Sequence, residues 1–309
     1  MNSNANPANA QMRLDDAVAL FRGNDEFPCV VGPTASGKTG LAIALAKALD
    51  GEILSIDSVQ IYRRFDIGSA KPTPAEQAEV PHHLIDIVDG HDAIDAGTFA
   101  ARADAAIADL RARNKRPVLV GGTFLWMKGI VQGLAEAPRG DTAVRAELAA
   151  LAEREGRAAV WEALAAVDPA SAARLHPNDF VRTSRALEVF RLGGVPLSKL
   201  QEEHGFRQSR YPYKLLTPGR STEELEGRLA TRAAEALASG WIDETRALLA
   251  DGYRSARPMG SVGYREVVSF VDGALPEAEL LGAIVRSTRV FVRRQRTWLR
   301  DEAVTAIQG

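Results

Sequence analysis

Apolar residues in this chain fall first in short unbroken runs and then at helical spacing, and the two patterns alternate. Pro28, Cys29, Val30 and Val31 form one such run. It lacks the in–out alternation of a half-exposed strand, so it predicts a strand covered on both faces. Leu41, Leu45 and Leu49 follow at helical spacing, residues 52–56 read as a second buried strand, and Phe99, Ala103, Ala106, Ile107 and Leu110 stripe a helix over 98–113. A third strand at 117–120 stops at Gly121 and Gly122, a fourth is expected at 213–216, and 303–307 can close the sheet. That order predicts an α/β fold with a parallel, doubly wound sheet flanked by helices.

Between residues 138 and 207 the strand-like runs vanish. Ala-, Arg- and Glu-rich helices replace them at 141–155, 157–166 and 180–192, with stops at Gly156 and at Gly193-Gly194. This predicts an all-helical insertion domain, leaving 27–137 and 208–309 as the α/β core. Ser221-Thr222-Glu223-Glu224 is a capping box that starts a helix running to Gly240, and a long helix is expected over about 276–300.

Composition adds limits. With 46% hydrophobic and 25% charged residues, the chain of 309 can bury a sizeable core. No apolar run approaches the roughly 18–20 residues a membrane span needs. Residues 1–26, with Asp15, Asp16 and Asp25, lack the basic start and apolar stretch of a signal peptide. They are expected to be a flexible tail, disordered over 1–10, on a cytoplasmic protein that acts as a monomer. Cys29 is the single cysteine, which excludes an intrachain disulfide and a thiolate metal site. His82, His83, His91, His176 and His204 show no ligand spacing, and the His82-His83 pair is expected on a solvated loop. The net charge is −2, so an RNA partner would require positive charge gathered on one face.

The strongest chemical signal is Gly32-Pro33-Thr34-Ala35-Ser36-Gly37-Lys38-Thr39, a phosphate-binding P-loop between a predicted strand and a predicted helix. Its glycines let backbone N–H groups converge on one concavity, to which the helix adds its positive end. Lys38 can reach the outer phosphate and the Thr39 hydroxyl can hold Mg²⁺. The motif specifies phosphates without saying which. ATP-hydrolysing relatives of this loop end a strand with a Mg²⁺-supporting acid, yet the third strand here runs into Gly121-Gly122-Thr123. The nearby strand-end acid is Asp57, which can support a metal, act as a general base, or cap a turn.

Asp57-Ser58-Val59-Gln60-Ile61-Tyr62 is followed by Ile67-Gly68-Ser69-Ala70-Lys71-Pro72, Pro81-His82-His83-Leu84-Ile85-Asp86 and Gly121-Gly122-Thr123-Phe124-Leu125-Trp126. Then come His176-Pro177-Asn178-Asp179, Arg185-Ala186-Leu187-Glu188-Val189 and Ser261-Val262-Gly263-Tyr264-Arg265. This ordered set, with the P-loop, resembles the bacterial tRNA dimethylallyltransferase (isopentenyltransferase) family from about residue 27 to 300. The resemblance implies a P-loop that grips the diphosphate of dimethylallyl diphosphate with Mg²⁺ assisting, and an adenine flipped out of the anticodon stem-loop of tRNA. It implies Asp57 as the base for the N6 proton, Thr123 as a hydrogen-bonding partner of the reacting base, and Lys38 on the leaving group. It further implies Arg228 and Arg232 on the diphosphate. Its tRNA contacts would come from Asp57, Ser58, Val59, Gln60, Thr123, Arg145, Val181, Arg182, Thr183, Ser184 and Arg185. A second set would be Gly260, Ser261, Val262, Gly263, Tyr264 and Arg265, and a third Arg293, Arg294, Arg296 and Arg300. Departures are Val181 where several relatives carry Gln, Trp126 where Tyr is usual, and Thr222 where many carry Arg.

Arg286, Arg289, Arg293, Arg296 and Arg300 are spaced 3, 4, 3, 4, on one face of the last helix. A charged face is ordinarily just solvated. The absence of acids from the stripe and the resemblance both favour RNA. Three rivals share parts of the pattern: a small-molecule P-loop kinase, a non-catalytic RNA-binding P-loop protein, and an enzyme that prenylates free AMP or ATP. The kinase leaves the helical insertion and the basic helix without a use.

Overall fold

The computed structural model describes residues 11–308. The chain opens with α1 (Leu14–Phe21), β1 (Phe27–Val31), α2 (Lys38–Ala48), β2 (Gly51–Ile56), α3 (Pro74–Glu79) and β3 (His82–His83). It continues through α4 (Ala96–Ala112), β4 (Arg116–Gly121) and α5 (Phe124–Val131). Residues 132–209 then form a separate compact unit of helices: α6 (Thr142–Glu155), α7 (Arg157–Val167), α8 (Pro169–Ala172), α9 (Phe180–Gly193) and α10 (Leu197–His204). The chain resumes its first unit with β5 (Tyr213–Pro218), α11 (Thr222–Ala238), α12 (Trp241–Ala250), α13 (Tyr264–Val271), α14 (Glu277–Arg300) and β6 (Val304–Ile307).

The six strands form one parallel sheet in the order β3-β2-β4-β1-β5-β6. Its strands are apolar on both faces because both faces are covered. Cys29, Val31, Leu54, Ile56, Leu119 and Leu215 join one core with Phe99, Ile107 and Ile284, whereas Val30, Ile53, Val118, Val120 and Leu216 join another with Leu45 and Phe21. No helix among the described residues is long and apolar enough to cross a membrane.

Two expectations are corrected. Residues 11–26 are not a tail. Ala17, Val18 and Phe21 are buried at helical spacing, and Met12 bridges Ile307, with its N–H donating to the Ala306 carbonyl at 2.8 Å. The acids at 15, 16 and 25 masked that apolar face. Residues 1–10, expected to be disordered, lie outside the described residues. His82-His83 is a strand, not a solvated loop: it pairs with Ile53 and Leu54, and His83 Nε2 meets the buried Glu52 carboxylate at 2.6 Å.

The helical unit packs around Leu148, Val160, Leu164, Ala172, Ala186 and Leu187. Gly156 (φ 87°) separates α6 from α7, and Gly194 (φ 68°) ends α9 in the left-handed conformation that favours glycine. The unit begins six residues before the expected boundary and ends two after it.

Candidate active site

Gly121 is the register partner of Val31 on one side and of Ile56 on the other. Three strand ends therefore lie abreast, and the residues just past them, Gly32, Asp57 and Gly122, emerge into one region. A Cβ on Gly121 would stand 2.0 Å from the Ile56 carbonyl oxygen, so the strands can close this tightly only with glycine there. Above the strand ends is an open cleft of about 1750 Å³, lined among others by Lys38, Asp57, Thr123, Arg228, Arg232 and Arg265. Small-molecule sites usually occupy roughly 300–1,000 Å³, so this one has room for a diphosphate and a nucleobase together.

Gly37, at φ 93°, caps α2 and turns the loop so that the helix N-terminus faces the cleft. Lys38 Nζ donates to the Pro33 carbonyl at 2.8 Å, a contact within the loop itself. The Ser36 hydroxyl is buried and has no hydrogen-bond partner among the described residues. An orphaned donor in a loop of this sequence is what a cradle for phosphate oxygens requires. Burial, with the Arg232 guanidinium second, pushes the Lys38 ammonium down to about 8, against the pull of the Asp57 carboxylate. Burial also pushes Arg232 down, again against Asp57. Arg228 Nε donates to the Ala35 carbonyl at 2.8 Å, so α11 holds the loop from outside.

Asp57 uses one oxygen to hold its own turn. Oδ1 accepts from the N–H groups of Val59 (2.8 Å) and Gln60 (3.2 Å), and Oδ2 accepts no hydrogen bond among the described residues. Capping thus engages one oxygen of the carboxylate and leaves the other open to the cleft. Thr123 stands next to it, its hydroxyl accepting from the Ser58 N–H at 3.2 Å. Gln60 is anchored inward: Oε1 accepts from the Ser55 hydroxyl and Nε2 donates to the carbonyls of Ser69 and Ala70. The described residues hold no cluster of three His, Cys, Asp or Glu side chains fit for a metal. Thr39 and Asp57 are the oxygen donors at hand, a set that suits Mg²⁺ carried largely by phosphate oxygens and water.

The remaining expected RNA contacts divide by burial. Arg286, Arg289, Arg293, Arg294, Arg296 and Arg300 lie on α14, and Arg293, Arg294 and Arg296 make no ion pair among the described residues. Arg289 lies 3.8 Å from Glu226 and Arg300 3.4 Å from Asp301, so the stripe is less free of acids than its spacing suggested. Gly260 is exposed, and Ser261 and Val262 line the cleft with Arg265. Tyr264 is a correction. It is fully buried, and its hydroxyl donates to Glu244, whose carboxylate also accepts from the N–H groups of residues 66–68. Gly263 is buried against Trp241. In the helical unit Val181 and Arg182 are exposed and Ser184 and Arg185 half-buried, but Thr183 is fully buried and cannot meet RNA.

Sequence reading missed two residues that hold expected functional groups in place, one in each unit. Gln295 lies on the buried edge of the arginine helix, three positions after Val292 and four before Leu299, so its spacing was the available signal. Glu188, almost wholly buried, accepts from Arg145, from Arg185 and from the Asp141 N–H, and so fixes two of the expected RNA-binding guanidinium groups. It belongs to a segment that carries the family resemblance, but its acidity gave no hint of that duty.

Fold and site together define an α/β protein of the P-loop class whose phosphate cradle opens into a cation-lined cleft. A family model for IPP transferase matches residues 60–302. The chain belongs to the IPP transferase family. It is 57% identical to a tRNA dimethylallyltransferase of Sorangium cellulosum, across 91% of this chain and 90% of that one. Identity to a tRNA dimethylallyltransferase of Myxococcus xanthus is 46%, across 88% and 89%. Among solved structures, the full-length tRNA isopentenylpyrophosphate transferase of Bacillus halodurans is 35% identical, with a TM-score of 0.66 across 92% of this chain and 90% of that one.

Proposed function

We infer that this protein transfers the dimethylallyl group of dimethylallyl diphosphate to N6 of the adenine 3′-adjacent to the anticodon, in tRNAs that read codons beginning with U. The products are N6-isopentenyladenosine and diphosphate. The observation that carries this reading is the shared register of Gly121, which sets the phosphate loop beside the Asp57–Thr123 pair. A kinase would want a strand-end acid after β4 to support its metal, and glycine and threonine stand there instead.

The adenine N6 lone pair attacks the allylic carbon, the C–O bond breaks, and its electrons leave with the diphosphate. Delocalisation into the ring makes N6 a poor nucleophile until its proton is taken, and Asp57 Oδ2, held on a rigid turn, is the acceptor. Thr123 orients the base. Lys38, the loop amides, Ser36 and Arg232 meet the charge that grows on the leaving group. Thr39, with Asp57 nearby, would hold Mg²⁺, which would supply further neutralisation of that charge.

The acceptor is a macromolecule rather than free AMP, a reading supported by the exposed arginines of α14 and by the Glu188-held arginines of the helical unit. The acting unit in this reading is a monomer, in the cytoplasm where tRNA is found. Mass spectrometry of tRNA nucleosides after incubation with dimethylallyl diphosphate tests the reading. Isopentenyladenosine should appear in wild-type reactions. Phosphorylated small molecules, with unmodified tRNA, would instead return the kinase.

A further inference from the structure

Gln295 is 5% exposed on a helix whose adjacent Arg294 and Arg296 are far more open to solvent. Each end of its amide reaches a different part of the site. Oε1 accepts from the Thr34 N–H at 3.0 Å, and Nε2 donates to the Gly122 carbonyl at 3.1 Å. Thr34 belongs to the phosphate loop, whereas Gly122 begins the turn that carries Thr123. A Cβ on Gly122 would lie 2.3 Å from Nε2, so the glycine is what admits the side chain. One turn earlier on α14, Val292 packs with Ala35 of the loop and Leu229 of α11.

We propose that Gln295 is a positioning residue for the transfer: it sets the spacing between the diphosphate cradle and the Thr123 turn, and makes that spacing depend on how α14 is seated. The helix that bears the arginine stripe thereby also adjusts the grip on the donor. This rests on the function proposed above. A side chain without hydrogen bonds at 295 would leave the Thr34 donor and the Gly122 acceptor without their protein partner at a half-buried place, and both loops would relax to satisfy them.

The test uses the full chain and inorganic diphosphate, titrated calorimetrically, alongside steady-state transfer to tRNA. Gln295→Met fills the volume without hydrogen bonds. Gln295→Glu keeps the acceptor for Thr34 and loses the donor to Gly122. Gly122→Ala displaces the amide without altering it. Met and Ala variants should weaken diphosphate binding and raise the donor KM about tenfold or more, with the Glu variant between them and wild type. Turnover at saturating donor should fall less than kcat/KM, and tRNA affinity should stay within about twofold. Variants that lose only thermal stability, with unchanged diphosphate affinity per folded molecule, overturn the inference. A wild type that does not bind diphosphate at all overturns the reading of the P-loop beneath it.

Discussion

Lys38 is a half-buried cation, and its place between Arg232 and Asp57 has a consequence in pH. Anion binding favours its protonated form. With the free group at about 8, donor affinity should be level below that pH and fall above it, approaching tenfold per pH unit. Titrating the donor KM from about pH 6.5 to about 9.5, a range that brackets the group, checks this. Lys38→Ala should abolish the dependence, lower turnover by about 10²–10³-fold and leave tRNA affinity nearly unchanged. Asp57 is testable because its two oxygens are differently employed. Asp57→Asn can still accept from the Val59 and Gln60 N–H groups, so the turn survives while the proton acceptor goes. Single-turnover rates at saturating tRNA, donor and Mg²⁺ should fall about 10²–10⁴-fold. A fall below tenfold would rule out the base; rescue by added Mg²⁺ with weakened donor binding would make Asp57 a metal support. The sequence revealed both residues because each sits in a pattern, one in an eight-residue motif and one at a strand end. Ser36 lay inside the same motif, but only the folded structure shows that its buried hydroxyl is left without a partner among the described residues.

Among the elements, α14 carries an arginine stripe on one face and Gln295 on the other. Replacing Arg293 and Arg296 with Ala should weaken tRNA binding and reduce the slope of log affinity against log salt by about one unit per lost phosphate contact. A binding titration with an unchanged slope would make the stripe a solvated face. The arginine spacing made this helix legible. Its inner face was not, since a glutamine at a buried position reads as ordinary polar surface until its partners are known, and those partners, Thr34 and Gly122, lie far away in sequence. The same limit explains Tyr264 and Thr183. Each belongs to a motif that reads as a contact strip, but part of such a strip faces inward, and which part depends on packing against Trp241 and Glu244 or within the helical unit.

At the scale of the whole molecule, the apolar runs of β1, β2, β4 and β5 were legible because strands covered on both faces have no polar alternation to confuse them. β3 was not, being two histidines long. Strand order is also invisible in sequence, and here it matters. β1, near the start of the chain, ends up between β4 and β5, pairing Cys29 with both Leu119 and Leu215. On a ribosome making about 5–20 residues per second, β1 waits roughly 10–40 s for β5, about 190 residues later. β4 arrives about halfway through that interval; from then on the nascent sheet holds β1 with one edge open, while the helical unit, compact within residues 132–209, emerges and can pack by itself. The insertion that divides the sheet in sequence therefore sets a period during synthesis when an apolar strand edge is exposed to neighbouring chains, and chaperone demand should concentrate there.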